Sequence, residues 1–413
     1  MDARTASTAA QTAESPSRGL ARNGSFVLLW IGQFVSQVGD RLAMVAFPWL
    51  IYQRTGSTVS TGVILALYTL PYVFVGPFAG VVIDRMDKRR LLIVSDVVRA
   101  ALIAVVPLAA AWNLTAVYGL ALLVASVNVF FDPCKLALLP DIVEERQLLR
   151  ANSVLATGET LTEVVGYASA GFALAWVSTA TAFRIDAVTF LVSAIAFLLM
   201  RYRRPLREAT DRVSLSVWHE IGEGVDFVRR HRGLLLNTLL IVAATLGIGA
   251  TYPLTFFFAV DVLDGGTAAF GLFEASIAAG FLVGSLLLAG LGTQVPKGYA
   301  ILGGLAVLGA TYVVVALTAT VWAACIVFAV AGVANAASLI AIDTYVQSIV
   351  PEALRGRVWT MRFTFTQGAY ALSVLAGGAL AGFVDVRLLL VVAGAIIAVP
   401  ALVGFFSRTL REA

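Results

Sequence analysis

Asp40, Glu159 and Glu163 stand inside long apolar runs. An ionised side chain at mid-bilayer depth costs roughly 2.5–3.5 kcal/mol, so it persists where it has a partner, water or a task. Glu159 and Glu163 are at i and i+4, on one face of one helix. Two carboxylates so close in low dielectric cannot both ionise cheaply, and at least one should keep its proton. That is the chemistry of a group that binds and releases protons; the alternative is a neutral, hydrogen-bonded acid that pins helix packing. Asp40 lies about 14 residues, roughly 21 Å of helix, from the start of its run. Gln33, Gln37 and Asp40 follow i, i+4, i+7 and share a stripe. Arg41 is about 100° further round, too far to be assumed a partner of Asp40. Asp40 is expected to face a central cavity and exchange a proton or meet a cationic substrate; the alternative is a structural salt bridge to another helix. Glu163 shares its depth, Glu159 is nearer the start of its run, and Glu274 is read as a charge in an outer vestibule.

Polar side chains hard to hide in lipid extend the list of cavity-lining candidates. These are Gln33, Gln37, Arg41, Asn128, Asn237, Asn335 and Gln367, with Tyr167 and Tyr370. Trp30, Phe34, Phe131, Tyr252, Phe256, Phe257 and Phe363 could line the path of an amphipathic substrate, although a single aromatic more commonly packs or faces lipid. Enzyme chemistry has little to build on. The two histidines, His219 and His231, fall in a polar loop, no HExxH or GxSxG motif occurs, and no metal or cofactor is implied.

The elements that carry these residues must be membrane helices. Apolar residues make up 59% of the 413, charged ones 13%, where a soluble protein would carry about 25%. Segments near 26–52, 58–83, 90–112, 115–139, 153–177, 181–200, 233–261, 267–292, 298–318, 321–346, 357–384 and 387–407 are long enough to span a core of about 30 Å. With the amino terminus inside, roughly 23 of the 29 Lys and Arg fall on the cytoplasmic side, against about three (Arg54, Arg184, Arg387) outside. That asymmetry, with both termini cytoplasmic, explains the net charge of +4 better than nucleic-acid binding does. Cys134 and Cys325 lie in or beside apolar runs and imply no disulfide framework.

The predicted organisation is a disordered cytoplasmic tail (1–25), a six-helix half (26–200), a cytoplasmic linker (201–232), a second six-helix half (233–407) and a short cytoplasmic tail (408–413). In the linker Trp218, Ile221, Val225 and Val228 recur at helical spacing, which predicts an amphipathic helix on the inner leaflet. Ile142-Val143-x-Glu145-x4-Arg150 returns as Ile349-Val350-x-Glu352-x4-Arg357, and Gly171 pairs with Gly378 at the same offset. Parallel halves related by an axis along the membrane normal produce such a repeat.

Gly80, Asp84-Arg85 and Lys88-Arg89-Arg90 form a charged hairpin that must lie at the water face between spans 2 and 3. It resembles the corresponding loop of the major facilitator superfamily. Ser95-Asp96 and Arg99 in span 3, Leu139-Pro140-Asp141, Ala151-Asn152-Ser153 and Arg355-Gly356-Arg357 extend the likeness along the chain. Together they resemble the branch of macrolide-efflux, multidrug-efflux and enterobactin-export proteins. The resemblance implies an all-α polytopic protein with twelve transmembrane helices in two pseudo-symmetric halves. It also implies that Asp84 and Arg85 lock the cytoplasmic side while the cavity opens outward, Asp84 near span 11 and Arg85 on a span 4 acid, for which Asp132 is the candidate. Lys88, Arg89 and Arg90 would set topology and touch anionic lipid. Lys135 and Asp343, at near-equivalent points of the halves, are a candidate bridge. The chain departs from common antiporters in lacking an Arg in mid-span 4 and in placing Tyr167 where Pro is usual.

The expected function is proton-coupled export of amphipathic small molecules, such as antibiotics or natural products. The expected setting is a bacterial cytoplasmic membrane, with a monomer driven by the proton gradient. A siderophore or lipid exporter of the same fold is the nearest alternative; a membrane enzyme or sensor would not need acids at depth.

Overall fold

The structure is a computed structural model describing residues 19–202, 217–291 and 296–411. Backbone groups in lipid have no water to bind, so each apolar segment satisfies them inside a helix. The first half contains α1 (Gly24–Thr55), α2 (Thr58–Phe74), α3 (Gly76–Arg85), α4 (Lys88–Trp112), α5 (Leu114–Asn128), α6 (Phe131–Ile142), α7 (Leu148–Trp176) and α8 (Thr179–Leu199). After α9 (Val217–Arg230) come α10 (Arg232–Phe257), α11 (Gly266–Leu291), α12 (Lys297–Leu317), α13 (Val321–Ile349), α14 (Glu352–Leu380) and α15 (Val386–Gly404), then the short α16 (Arg408–Arg411).

The described residues make twelve transmembrane helices, because α2 with α3 and α5 with α6 each form one broken span. Pro77 and Pro133 explain the breaks. Neither has an N–H to donate to the carbonyl four residues earlier, and the helices part at Val75 and at Val129–Phe130. Short polar residues start the spans. Asn23, Ser57, Asp87, Asn113, Ser178, Thr320 and Asp385 each accept a backbone N–H of the helix that follows.

One end of the bundle carries the hairpin of Arg85 to Arg90 and is called here the basic end. At the opposite end the two halves are drawn together. Here α2 crosses α14 at Gly62 and Gly378, so closely that a Cβ on Gly62 would lie 2.6 Å from the Gly378 Cα. The second crossing sets α7 on α11, where the Thr267 hydroxyl donates to the Gly171 carbonyl at 3.2 Å. Tyr52 adds a clasp, its hydroxyl donating to Asp261 at 2.7 Å across the halves. Replacing Tyr52 by Phe should weaken closure by about 1 kcal/mol, the net worth of one such bond. Thiol labelling of a Thr61→Cys variant from that side should then rise by roughly fivefold; unchanged labelling would show the clasp to be idle.

Towards the basic end the contact between the halves is looser. A Cβ on Gly76 would meet the Phe363 ring of the other half at 3.8 Å, ordinary van der Waals contact, and one on Gly80 would meet nothing within 4 Å. The lock that the likeness places at this end belongs to a state with the cavity open outward; in this structure the backbone crossings between the halves lie at the opposite end. The reason is packing: small residues let backbones touch at the Gly62 and Gly171 crossings, and α3 packs on α2 and α6 of its own half.

The linker helix α9 also departs from expectation. Ile221, Val225 and Val228 pack on Val358, Met361 and Leu354 of α14, and Glu223 is ion-paired with Arg357. Its apolar face is spent on protein and not on lipid. The Trp218 side chain, residues 203–216 of the linker and residues 1–18 and 412–413 of the tails lie outside the described residues.

Candidate functional site

The acids and cations at depth form three groups around α1. Along the crevice between α1 and α7, three rungs join the helices. Gln33 donates to Glu159 at 3.0 Å, the Thr162 hydroxyl donates to Gln37 at 2.7 Å, and Arg41 meets Glu163 at 3.2 Å. The two helices run in the same direction side by side, so residues one turn apart on each fall level with one another. The Arg41 guanidinium also lies 5.2 Å from the Tyr167 ring centroid, a cation–π distance. Trp30 and Phe34, stacked at 5.3 Å, complete the wall with Leu155 and Gly158.

Glu159 and Glu163 do not share one site as their spacing suggests. Each has its own cation, Lys135 for Glu159 and Arg41 for Glu163. Lys135 on α6 is almost fully buried and also holds Asp132 at 3.0 Å. Even so, the Glu159 and Glu163 side chains are 42% and 41% exposed.

Asp40 leaves the stripe of Gln33 and Gln37. It turns to Arg99 on α4 at 3.7 Å, retaining 22% side-chain exposure, and Arg41 takes its place opposite α7. Arg99 is the hub of the first half. It is ion-paired with Asp96, hydrogen-bonded to Asn128 and enclosed by the rings of Phe131 and Phe190 at 4.5 and 4.3 Å. Asp186 on α8 completes the acids near Asp40. None of Arg99, Asp96 and Asp186 was singled out for chemistry in the sequence. The i, i+3 pair of Asp96 and Arg99 inside a span was the available signal.

In the second half, Glu274 on α11 is no vestibule charge. It interacts electrostatically with Glu163 and Arg41 across the interface, and Tyr370 and Tyr252 belong to the same neighbourhood. Asn237 is fully buried, accepting from Arg362 at 3.0 Å while Thr238 accepts at 2.7 Å, so it holds α14 to α10 and lines no cavity. Phe256 and Phe257 are likewise buried, with the Tyr52 ring against both. Asn335 and Gln367 are half-buried on α13 and α14.

The basic hairpin does more than set topology. Lys88 donates to the Ala137 carbonyl and to Asp141, both at 2.6 Å, and Arg89 donates to the Phe197 carbonyl at 2.7 Å and to that of Leu198. Arg89 therefore sits at the C-terminal end of α8, among its last carbonyls. Arg90 and Gly80 are exposed, as is Arg85. Asp132, the acid expected for Arg85, is bonded to Lys135 instead. That same bond keeps Lys135 within its own half and away from Asp343, which is exposed on α13 with Arg362 as its electrostatic neighbour. The Asp84 side chain lies outside the described residues.

Comparison with known proteins follows this geometry. Macrolide efflux protein A of Streptococcus pyogenes is 26% identical over 269 residues, 64% of this chain and 65% of that protein. The chain thus matches just under two thirds of that relative's length. The multidrug efflux pump Tap of Mycobacterium tuberculosis (strain ATCC 25618 / H37Rv) is 27% identical over 375 residues, 88% of each chain. In fold, the chain is similar to a bacterial homologue of the human lysosomal transporter Spinster, solved in an inward-facing and unoccupied conformation. The TM-score is 0.71 at 16% identity, over 94% of this chain and 98% of that one. A sequence profile described as transmembrane secretion effector matches residues 17–412. Because that match runs through all twelve spans, the chain belongs to the transmembrane secretion effector family, within the major facilitator superfamily.

Proposed function

We propose that the protein is a proton-coupled exporter of amphipathic small molecules, working by alternating access in a bacterial cytoplasmic membrane with its basic end in the cytoplasm. The observation that carries this reading is the α1–α7 crevice. It presents two half-exposed carboxylates, Glu159 and Glu163, each held by a cation, beside the stacked rings of Trp30 and Phe34. Rings suit an apolar cargo, and the acids offer protonation sites that water can reach. The efflux activities named for the two relatives support export and an antibiotic-like cargo. Positive charge gathered at the basic end supports the orientation.

In this scheme the cargo enters from the cytoplasm while the Gly62 and Gly171 crossings hold the outer end shut. A proton arriving on Glu163 or Asp40 removes the charge that holds Arg41 or Arg99, and the freed cation changes partner as the halves rock. The membrane potential adds about 2.3 kcal/mol per charge per 100 mV. Asp40→Asn and Glu163→Gln should each abolish efflux driven by a pH gradient while the protein still inserts. The assay is erythromycin and ethidium extrusion by an efflux-deficient host, with membrane abundance measured in parallel. Retained gradient-driven transport in both variants would reject the coupling scheme.

A further inference from the structure

We infer that Asp40, Asp96 and Asp186 together form a buried proton-binding site around Arg99, separate from the α1–α7 crevice and reached by water only through Asp40. Three carboxyls face one guanidinium, so full ionisation would leave an excess of two negative charges among helices α1, α4 and α8. Asp96 and Asp186 are 0% exposed and Arg99 is 1% exposed, so no water offsets that excess. Uncompensated buried carboxylates neutralise by taking up protons.

The hydrogen bonding agrees. Asp186 accepts from the Thr189 hydroxyl through one oxygen, at 3.3 Å, and its other oxygen is buried with no partner. Asp96, by contrast, has Ser193 of α8 as a hydrogen-bonding neighbour beside Arg99. A proton on the partnerless Asp186 oxygen removes a buried negative charge that nothing around it offsets. A metal ion fits poorly, because the guanidinium repels it and the rings of Phe131 and Phe190 offer no oxygen ligands.

The neighbouring elements add few charges. From α1 come Asp40 and Arg41, from α2 Tyr68 and Tyr72, and from α6 Asp132. Of the three acids Asp40 alone is exposed, at 22% of its side chain. Gly39 beside it lets Asp186 approach α1, since a Cβ there would lie 2.5 Å from the Asp186 Oδ1 and would also clash with Thr189. The step is simple: water delivers a proton to the Asp40 carboxylate, its hold on Arg99 lapses, and Arg99 stays with Asp96. Asp186 then takes the proton from Asp40, which becomes a carboxylate again and recaptures Arg99. No electron moves.

This inference rests on the proton-coupled reading, and the test separates the two. Wild-type protein and the Asp186→Asn variant are reconstituted in liposomes with a pH indicator trapped inside, and ethidium binding is measured between about pH 5.5 and pH 8.5. Wild-type binding should strengthen by about tenfold with rising pH, as proton release makes way for cargo, and the variant should lose at least about two thirds of that change. An identical profile in the variant overturns the site while leaving coupling through Glu163 intact. A wild type that moves no protons with ethidium overturns both. Should the variant fail to insert, infrared titration of the wild type decides the matter. A protonated-carboxyl band persisting at about pH 7 supports the site, and its absence overturns it.

Discussion

A valine in place of Gly62 should stop transport and leave the protein open at the end that is closed here. The backbones of α2 and α14 touch at this point, with Gly378 opposite, so the added Cβ at 2.6 Å meets main chain and not a side chain that can rotate away. Overpacking of this kind costs about 1–3 kcal/mol, and backbone contact puts it at the upper end. At 1.4 kcal/mol per tenfold, closure becomes roughly 100-fold rarer. Among the described residues Gly76 and Gly80 make no such backbone contact at the basic end, so the penalty falls on the closed state here and shifts the population. Ethidium extrusion should fall to background while membrane abundance holds. A Thr61→Cys reporter, fully buried at this crossing, should become open to a membrane-impermeant maleimide from outside. Near-normal extrusion together with an unlabelled reporter would show that the crossing is no gate.

Arg99→Ala should cost the fold itself about 3–5 kcal/mol, the usual penalty for removing one member of a buried ion pair. Its loss strips Asp96 and Asp40 of their cation and Asn128 of its donor, and empties the slot between Phe131 and Phe190. Arg99→Lys should recover only part, since a lysine lacks the planar fork that contacts two acids while lying between rings. Adding Asp96→Asn to Arg99→Ala should recover part of the loss, because one orphaned charge goes with the cation while Asp40, Asn128 and the emptied slot remain. The folded Arg99→Ala protein would hold protons on carboxyls that the unfolded chain releases, so its stability should rise as the pH is lowered. Thermal unfolding in detergent at about pH 5.5 and about pH 8 reads both effects. An Arg99→Ala protein as stable as wild type at the higher pH would remove Arg99 from the centre of this half.

Glu159 and Glu163 illustrate why site geometry outran the sequence. Their i, i+4 spacing made them look like a coupled pair, and spacing within one helix cannot reveal that Lys135 from α6 and Arg41 from α1 separate them. Asp40 and Arg41 were both visible, but which of them faces α7 depends on how α1 rolls against α4 and α8. Asn237 looked like a cavity residue because an amide in lipid needs a partner; the partner proved to be Arg362, 125 positions away.

Composition, run length and charge asymmetry were enough for twelve spans in two repeated halves, because lipid forbids unpaired backbone and each span must be an apolar helix long enough to cross. The breaks at Pro77 and Pro133 follow equally from local chemistry. Which helices touch, which acid finds which cation, and which end of the crevice is shut depend on side chains from different helices meeting, from 24 positions apart for Lys135 and Glu159 to 122 for Arg41 and Glu163. Those choices belong to tertiary packing, where the Gly62 and Gly171 crossings and the Arg99 hub take their form.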